Sequence, residues 1–167
     1  MKERIKALVS SFIAEVLDKD CVHFSISKER LCNEILFKFS VKFRSNYDDD
    51  LIFDDKEYLQ FALNAKNKRY YGELLQESGE TNESQLIRDI FSYYATLPAF
   101  LREYNIYREK VSFLATAFKE SKKVRLDLGG KAVESNIEAL RRSKENDYLV
   151  AVIEGTEHFV SSIRVID

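Results

Sequence analysis

Residues 58–64, YLQFALN, are followed directly by AKNKRYYGELLQESGETNESQLIRDIFSYY, and this junction decides the fold. Polar and apolar side chains alternate in the first seven residues, so Leu59, Phe61 and Leu63 share one face of a predicted strand. The spacing then changes to that of a helix, twice. A lone strand leaves its backbone N–H and C=O groups unpaired, so it requires a partner strand. No hairpin partner lies within the reach of a turn.

Two helices are predicted after this strand. The first covers about 65–77, and Gly79 is placed to cap its end. Asn82 and Gln85 have the spacing of a capping box, which predicts a second helix over 83–96. The apolar face of this second helix consists of Leu86, Ile87, Ile90, Phe91 and Tyr94.

The residues before the strand are predicted to form an amphipathic helix over about 2–18 and a short strand in VHFSIS, residues 22–27. A further helix begins in KERLCNEILFKF, residues 28–39, and passes into an extended segment that includes Val41 and Phe43. The acidic stretch 46–58 is the best linker candidate. No internal repeat is apparent. The sequence therefore predicts a largely helical N-terminal part.

The character of the chain changes after a last amphipathic helix built on Tyr107, Val111 and Leu114. Strand-like runs separated by glycine or polar turns follow to the C-terminus, which predicts a small antiparallel β-unit. The predicted domains are an N-terminal extension over 1–57, a strand–helix–helix unit over 58–103 and a β-unit over 104–167. The fold class is α+β.

Composition and charge exclude several classes of protein. The 26 basic and 28 acidic residues nearly balance, so the net charge of the whole chain does not indicate nucleic-acid binding. Cys21 and Cys32 are too few for a disulfide framework and are expected to be reduced thiols. No cofactor, metal site or catalytic motif is indicated, so an enzyme is not expected. Without a membrane span or signal peptide in the sequence, a cytoplasmic protein is expected.

The strand–helix–helix pattern of residues 58–97 resembles the ribbon-helix-helix DNA-binding fold, in which two chains pair their single strands and insert the ribbon into the major groove. The resemblance implies a homodimer paired through Leu59 to Leu63. Gln60 and Asn64 would contact base edges, and the backbone at Asn82 and Glu83 would hold a phosphate. The alternative is a dimerisation unit that does not contact DNA.

From the helix YREKVSFLATAFKESKK to the end, the chain resembles a WYL domain, a small Sm-like β-barrel of bacterial regulators. Tyr148 and Leu149 of DYLVA match the Tyr-Leu pair that names the family, although Asp147 stands where its tryptophan usually is. An anionic ligand would require cationic donors and an aromatic ring for stacking. The predicted ligand- or nucleic-acid-binding residues are Arg125, Arg141, Arg142, Tyr148 and Arg164. A solvated basic face around a core tyrosine is the alternative.

The two resemblances together imply a homodimeric WYL-domain regulator. Such a protein would bind DNA through the ribbon and sense a nucleotide or nucleic acid through the barrel. Ribbon-helix-helix and WYL modules also occur together in short clostridial-type regulators and in accessory proteins of RNA-targeting CRISPR effectors. The alternative function is therefore that of a defence-type accessory protein that binds single-stranded nucleic acid or a protein, with the ribbon serving dimerisation alone.

Overall fold

The computed structural model describes residues 2–40, 55–77 and 82–166 and divides the chain into two compact units, Met1–Leu97 and Pro98–Asp167. In these described ranges the fold is mixed α+β, with six helices and antiparallel sheets. The division at Leu97 does not coincide with the predicted boundaries after residues 57 and 103. The predicted extended segment at Val41 and Phe43, most of the acidic linker and the Gly79 cap lie outside the described residues.

The first unit contains the order strand–helix–helix twice. The predicted helices over 65–77 and 83–96 are confirmed, and the Asn82 side chain accepts a hydrogen bond from the Gln85 N–H at 3.3 Å. The repeat was missed because the two halves share their pattern and little of their sequence. The elements are β1 (Arg4–Ser10), α1 (Ser11–Phe24), α2 (Lys28–Phe39), β2 (Lys56–Ala62), α3 (Ala65–Glu77) and α4 (Glu83–Thr96).

Strands β1 and β2 form an antiparallel ribbon within one chain. Ile5 pairs with Phe61 and Ala7 with Leu59, and the Leu63 N–H donates to the carbonyl of Glu3 at 2.9 Å. The prediction that the strand over 58–64 pairs with a second copy is therefore wrong, because its partner lies in the same chain. The predicted helix over 2–18 is also wrong in its first part, since Arg4–Ser10 form strand β1.

Helix α1 extends to Phe24, into the segment 22–27 in which a strand was predicted. Ser25 ends the helix in the left-handed conformation (φ 56°), and its N–H donates back to Cys21 and Val22. The alternation of Val22, Phe24 and Ile26 suggested a strand face, but Val22 is 81% exposed and only Phe24 is buried. Helical geometry places Phe24 on the same face as the buried Leu17, so this segment buries Phe24 as part of a helix and not of a strand.

The inward face of the ribbon packs on the helices and forms the core of the first unit. Phe61 and Phe91 lie 5.8 Å apart between ring centroids, and the buried Tyr94 hydroxyl donates to Asp20. The residues of this inward face that are at most 3% exposed are Ile5, Ala7, Val9, Leu59, Phe61 and Leu63.

Two equivalent contacts relate the halves of the first unit. The sixth residue of α2, Asn33, donates from Nδ2 to the Ala62 carbonyl of β2 at 2.9 Å. The sixth residue of α4, Arg88, donates from Nη1 to the Leu8 carbonyl of β1 at 3.3 Å. Each second helix thus binds the strand of the other half, as an approximate twofold arrangement requires.

The second unit contains two three-stranded antiparallel sheets, with the orders β4-β3-β8 and β5-β6-β7. Its described strands are not closed into a barrel, so the predicted Sm-like barrel is not confirmed. Leu114 of α6 packs with Leu126, Ala151 and Ile153 in its core. The elements are α5 (Ala99–Ile106), α6 (Arg108–Lys119), β3 (Lys123–Leu128), β4 (Ala132–Asn136), β5 (Ala139–Arg142), β6 (Leu149–Ile153), β7 (Thr156–Phe159), a 3-10 turn (Val160–Ser162) and β8 (Ile163–Val165).

Candidate nucleic-acid interface

The outward face of the β1–β2 ribbon carries cationic and polar side chains. Residues that pair directly in an antiparallel ribbon point to the same face, and successive residues alternate between faces. The eight outward positions of the two strands include three cations and no carboxylate. These positions, here called the ribbon face, pair as Arg4 with Ala62, Lys6 with Gln60, Leu8 with Tyr58, and Ser10 with Lys56.

Most side chains of the ribbon face are exposed and are not needed to fill the core. Tyr58 is 60% exposed, and Arg4, Lys6, Lys56 and Gln60 are exposed as well. The Lys6 ammonium lies 4.6 Å from the centre of the Tyr58 ring, so a cation and an aromatic surface lie together. The ribbon face can therefore donate hydrogen bonds to an anionic or polar partner. Sequence reasoning found Gln60 and missed Arg4 and Lys6.

In the turn between β2 and α3, both the side chain and the backbone N–H of Asn64 already make hydrogen bonds within the unit. Its Oδ1 accepts from the Asn67 N–H at 2.9 Å, and its own N–H donates to Asn33 Oδ1 at 2.9 Å. The buried Asn67 amide in turn donates to Asn33 Oδ1 and to the Asn33 carbonyl, each at 2.9 Å. The predicted base contact at Asn64 would have to break this cap, whereas Gln60 is placed outward.

The helix N-termini of the two halves differ in charge. At α4 the Glu83 carboxylate lies in the first turn, 3.1 Å from the Lys2 ammonium, and a carboxylate there competes with a phosphate for the helix N–H groups. At α2 the Ser27 cap is followed by exposed Lys28, Glu29 and Arg30, so its first turn also carries a carboxylate but has two cations beside it. The balance of charge is therefore more favourable for phosphate at α2 than at Asn82 and Glu83, to which the sequence pointed.

Neither cysteine has the environment of a reactive thiol. Burial raises the pKa of the Cys32 thiol well above its usual range. Burial also raises the pKa of Cys21, with a further contribution from the Asp18 carboxylate. Both groups are therefore protonated at neutral pH, as in structural thiols.

In the second unit, Arg141 and Arg142 lie on strand β5 and both pair with carboxylates. Arg141 forms an ion pair with Glu157 of β7 across the central strand β6. Arg142 Nε lies 2.5 Å from Asp147 Oδ1, and its guanidinium carbon lies 4.1 Å from the centre of the Phe100 ring. A ligand anion at these arginines must compete with the two carboxylates.

Arg141, Val150 and Phe159 form one row across the β5-β6-β7 sheet, on the face away from the core. They border a groove of about 470 Å³. Val150 lines the groove and is only 2% exposed, although it lies on the outer face of the sheet. The residues that line the groove are Arg141, Arg142, Ser143, Lys144, Glu145, Val150, Glu157 and Phe159.

Tyr148 does not lie on the surface of this groove. It is 1% exposed, and the Arg102 guanidinium carbon lies 6.0 Å from its ring centre. The next residue, Leu149, donates its N–H to the buried Glu103 carboxylate of α5 at 2.6 Å. Tyr148 therefore packs inside the unit, and the partly exposed ring that borders the groove is Phe159, which sequence reasoning missed.

Arg125 and Arg164 lie on the other sheet of the second unit. Arg164 pairs in register with Asp127, and its Nη2 lies 2.8 Å from Asp127 Oδ2. Arg125 lies two residues before Asp127 on the same face, opposite Glu134. The structure thus brings Arg125 and Arg164 together on one sheet, whereas Arg141 and Arg142 lie on another.

No protein-family model matches the chain, and no curated protein matches its sequence. Among solved structures, the chain is similar to one described as a CRISPR Cas-related protein, with a TM-score of 0.66 and 9% identity. The match covers 100% of this chain and 63% of that chain, so this chain spans less than two thirds of the length of that protein. At this identity the similarity shows the fold alone. Among the described residues, no helix is long and apolar enough to cross a membrane.

Proposed function

We propose that the chain is a binding protein and not an enzyme, a regulator that contacts duplex DNA through the ribbon face. In this proposal the first unit is a single-chain form of the ribbon-helix-helix arrangement, with β1 and β2 in the places of the two strands of a dimer. The observation that carries it is an exposed two-stranded ribbon with three cations, a glutamine and no carboxylate at its outward positions. A second copy is not required to complete the ribbon.

The chemistry of the ribbon face suits the major groove of DNA. That groove is about 12 Å wide and admits a two-stranded ribbon. Arginine and lysine donate to guanine O6 and N7, and glutamine pairs with adenine N6 and N7. Each cation that neutralises a phosphate also releases counterions, so the charge of this face matters more than the near-neutral charge of the whole chain.

In the same proposal the second unit is a WYL-like module that binds an anionic ligand, such as a nucleotide, in the groove beside Arg141. Lys144 and the two arginines supply donors, and Phe159 supplies a ring edge or face at the rim. The carboxylates of Glu157 and Asp147 hold the arginines when no ligand is bound.

Replacing Lys6 and Gln60 separately with alanine tests the duplex proposal. Lys6→Ala is expected to weaken binding to all duplexes and to reduce the salt slope by about one, because it removes one phosphate contact. Gln60→Ala is expected to cost ~1–3 kcal/mol on the preferred duplex and to relax its specificity. Fluorescence anisotropy with labelled duplexes measures both effects.

The matched control is Lys19→Ala, which removes a charge from an exposed position on helix α1. If Lys6→Ala and Gln60→Ala bind duplex DNA as Lys19→Ala does, the binding surface lies elsewhere and the proposal fails.

A second candidate function is that of an accessory protein of a CRISPR-type system that binds single-stranded nucleic acid through the groove. The similarity to a CRISPR Cas-related protein favours it. In this case Arg141→Ala together with Lys144→Ala should weaken binding of single-stranded RNA or DNA by about tenfold or more, with little effect on duplex binding.

The matched control for the groove is Lys131→Ala with Lys123→Ala, which removes two exposed cations from the other sheet and its turn. Equal loss of single-strand binding in both double variants would show a diffuse electrostatic contact and would exclude the groove as the site.

A further inference from the structure

The two strands of the ribbon face belong to one chain and are related by an approximate twofold axis. Lys6 pairs directly with Gln60, and Lys6 precedes the start of α1 at Ser11 by as many residues as Gln60 precedes the start of α3 at Ala65. The axis therefore passes through the Lys6–Gln60 pair. The contacts of Asn33 with β2 and of Arg88 with β1 obey the same relation.

This axis relates side chains of different chemistry. It exchanges Arg4 with Tyr58 and Leu8 with Ala62, and even the central pair combines a lysine with a glutamine. The register places Arg4 beside Ala62 at one end of the ribbon face. On the opposite side of the central pair Leu8 lies beside Tyr58, followed by the pair of Ser10 with Lys56. At the position equivalent to the Arg4 guanidinium, that side therefore presents the Tyr58 ring next to an aliphatic side chain.

We propose that a single chain recognises a non-palindromic duplex segment, with guanine contacted at the Arg4 end and thymine at the Tyr58 end. This inference rests on the proposed function of the ribbon face and adds to it the form of the target. In a ribbon made by two identical chains, the twofold axis presents the same side chains to both halves of the site. Here both strands come from one chain, so nothing restores that equivalence.

The base preferences follow from the groups that each end presents. The Arg4 guanidinium can donate two hydrogen bonds to guanine O6 and N7, an arrangement that no other base offers in the major groove. Leu8 and Tyr58 are exposed apolar surfaces that can cover the C5-methyl group of thymine. The Tyr58 hydroxyl can also reach a phosphate, and the neighbouring Lys6 ammonium adds a charge at the ring.

Selection from a pool of random duplexes tests this inference, with wild type, Arg4→Ala and Tyr58→Ala as the proteins and Lys19→Ala as the control. We expect wild type and the control to enrich a motif that differs from its own reverse complement. Arg4→Ala should lose preference at the guanine end alone, by roughly tenfold, and Tyr58→Ala at the other end alone. Native mass spectrometry of the enriched duplex gives the number of chains on each copy of the motif.

A palindromic motif occupied by one chain would overturn the inference, as would relaxation of the same base positions by Arg4→Ala and Tyr58→Ala. Either result leaves duplex binding, and hence the proposed function, in place. If the motif is a palindrome that two chains occupy, one on each half, then each chain still recognises a non-palindromic half and the inference is supported. Failure of the wild type to enrich any duplex would overturn the proposed function together with the inference.

Discussion

Phe61→Asp is expected to unfold the first unit. Phe61 is 2% exposed on the inward face of β2 and lies against Phe91 of α4. The change removes a buried ring, which costs about 3–5 kcal/mol, and buries a carboxylate without a partner, which adds to that cost. Since small domains are stable by only about 5–15 kcal/mol, most of the stability of this unit should be lost. Urea unfolding followed by circular dichroism measures the effect.

Tyr58→Asp is the matched control, because it places the same charge on the same strand at an exposed, outward position. We expect it to change the free energy of unfolding by less than about 1 kcal/mol. Equal unfolding midpoints for the two variants would contradict the assignment of inward and outward faces in the ribbon.

Arg4→Glu combined with Lys6→Glu is expected to abolish duplex binding. Both side chains are exposed at outward positions of β1, so the fold should survive. The change replaces two attractive contacts with two charges that repel phosphate, and we expect affinity to fall by about 100-fold or more at low salt. Fluorescence anisotropy with a duplex of fixed sequence measures the loss.

The control for this variant is Lys19→Glu combined with Arg69→Glu, which makes the same change of net charge at exposed positions on α1 and α3. If the two double variants lose duplex affinity equally, the effect comes from net charge, and the ribbon face is not the contact surface.

The helices α3 and α4 could be predicted from sequence because their signals are local. Their apolar residues recur at helical spacing, and Asn82 provides a cap whose hydrogen bond to the Gln85 N–H the structure shows. Strand β2 could be predicted for the same reason, since Leu59, Phe61 and Leu63 alternate with polar residues over a short stretch.

Strand β1 could not be predicted because its signal is ambiguous and its partner is distant. Ile5, Leu8 and Val9 fit a helix that continues into Phe12 and Ile13, while Ile5, Ala7 and Val9 fit a strand. Only the pairing with β2, about fifty residues away along the chain, decides between them. The Ser10 side chain, which accepts from the Ile13 N–H at 3.4 Å, marked the start of the helix and was overlooked.

The error at β1 also explains which site residues were missed. Once residues 4–10 were assigned to a helix, Arg4 and Lys6 had no relation to Gln60, and the missing strand was sought in a second copy. Tyr148 illustrates a different difficulty. It directly precedes strand β6, which is buried on both faces, so the apolar pattern does not show which side chains reach the surface. Phe159 is the last residue of the edge strand β7, and only its register opposite Val150 places it at the groove.

The central claim is that one chain binds duplex DNA through a cationic ribbon, and titration of the wild-type chain with matched duplex and single-stranded DNA of the same sequence tests it most directly. We expect the duplex to bind more tightly at every salt concentration between about 50 and 200 mM, with a logarithmic salt slope near −2 for phosphate contacts by Lys6 and Lys56. Preference for the single strand, or duplex binding that does not change with salt, would contradict the claim.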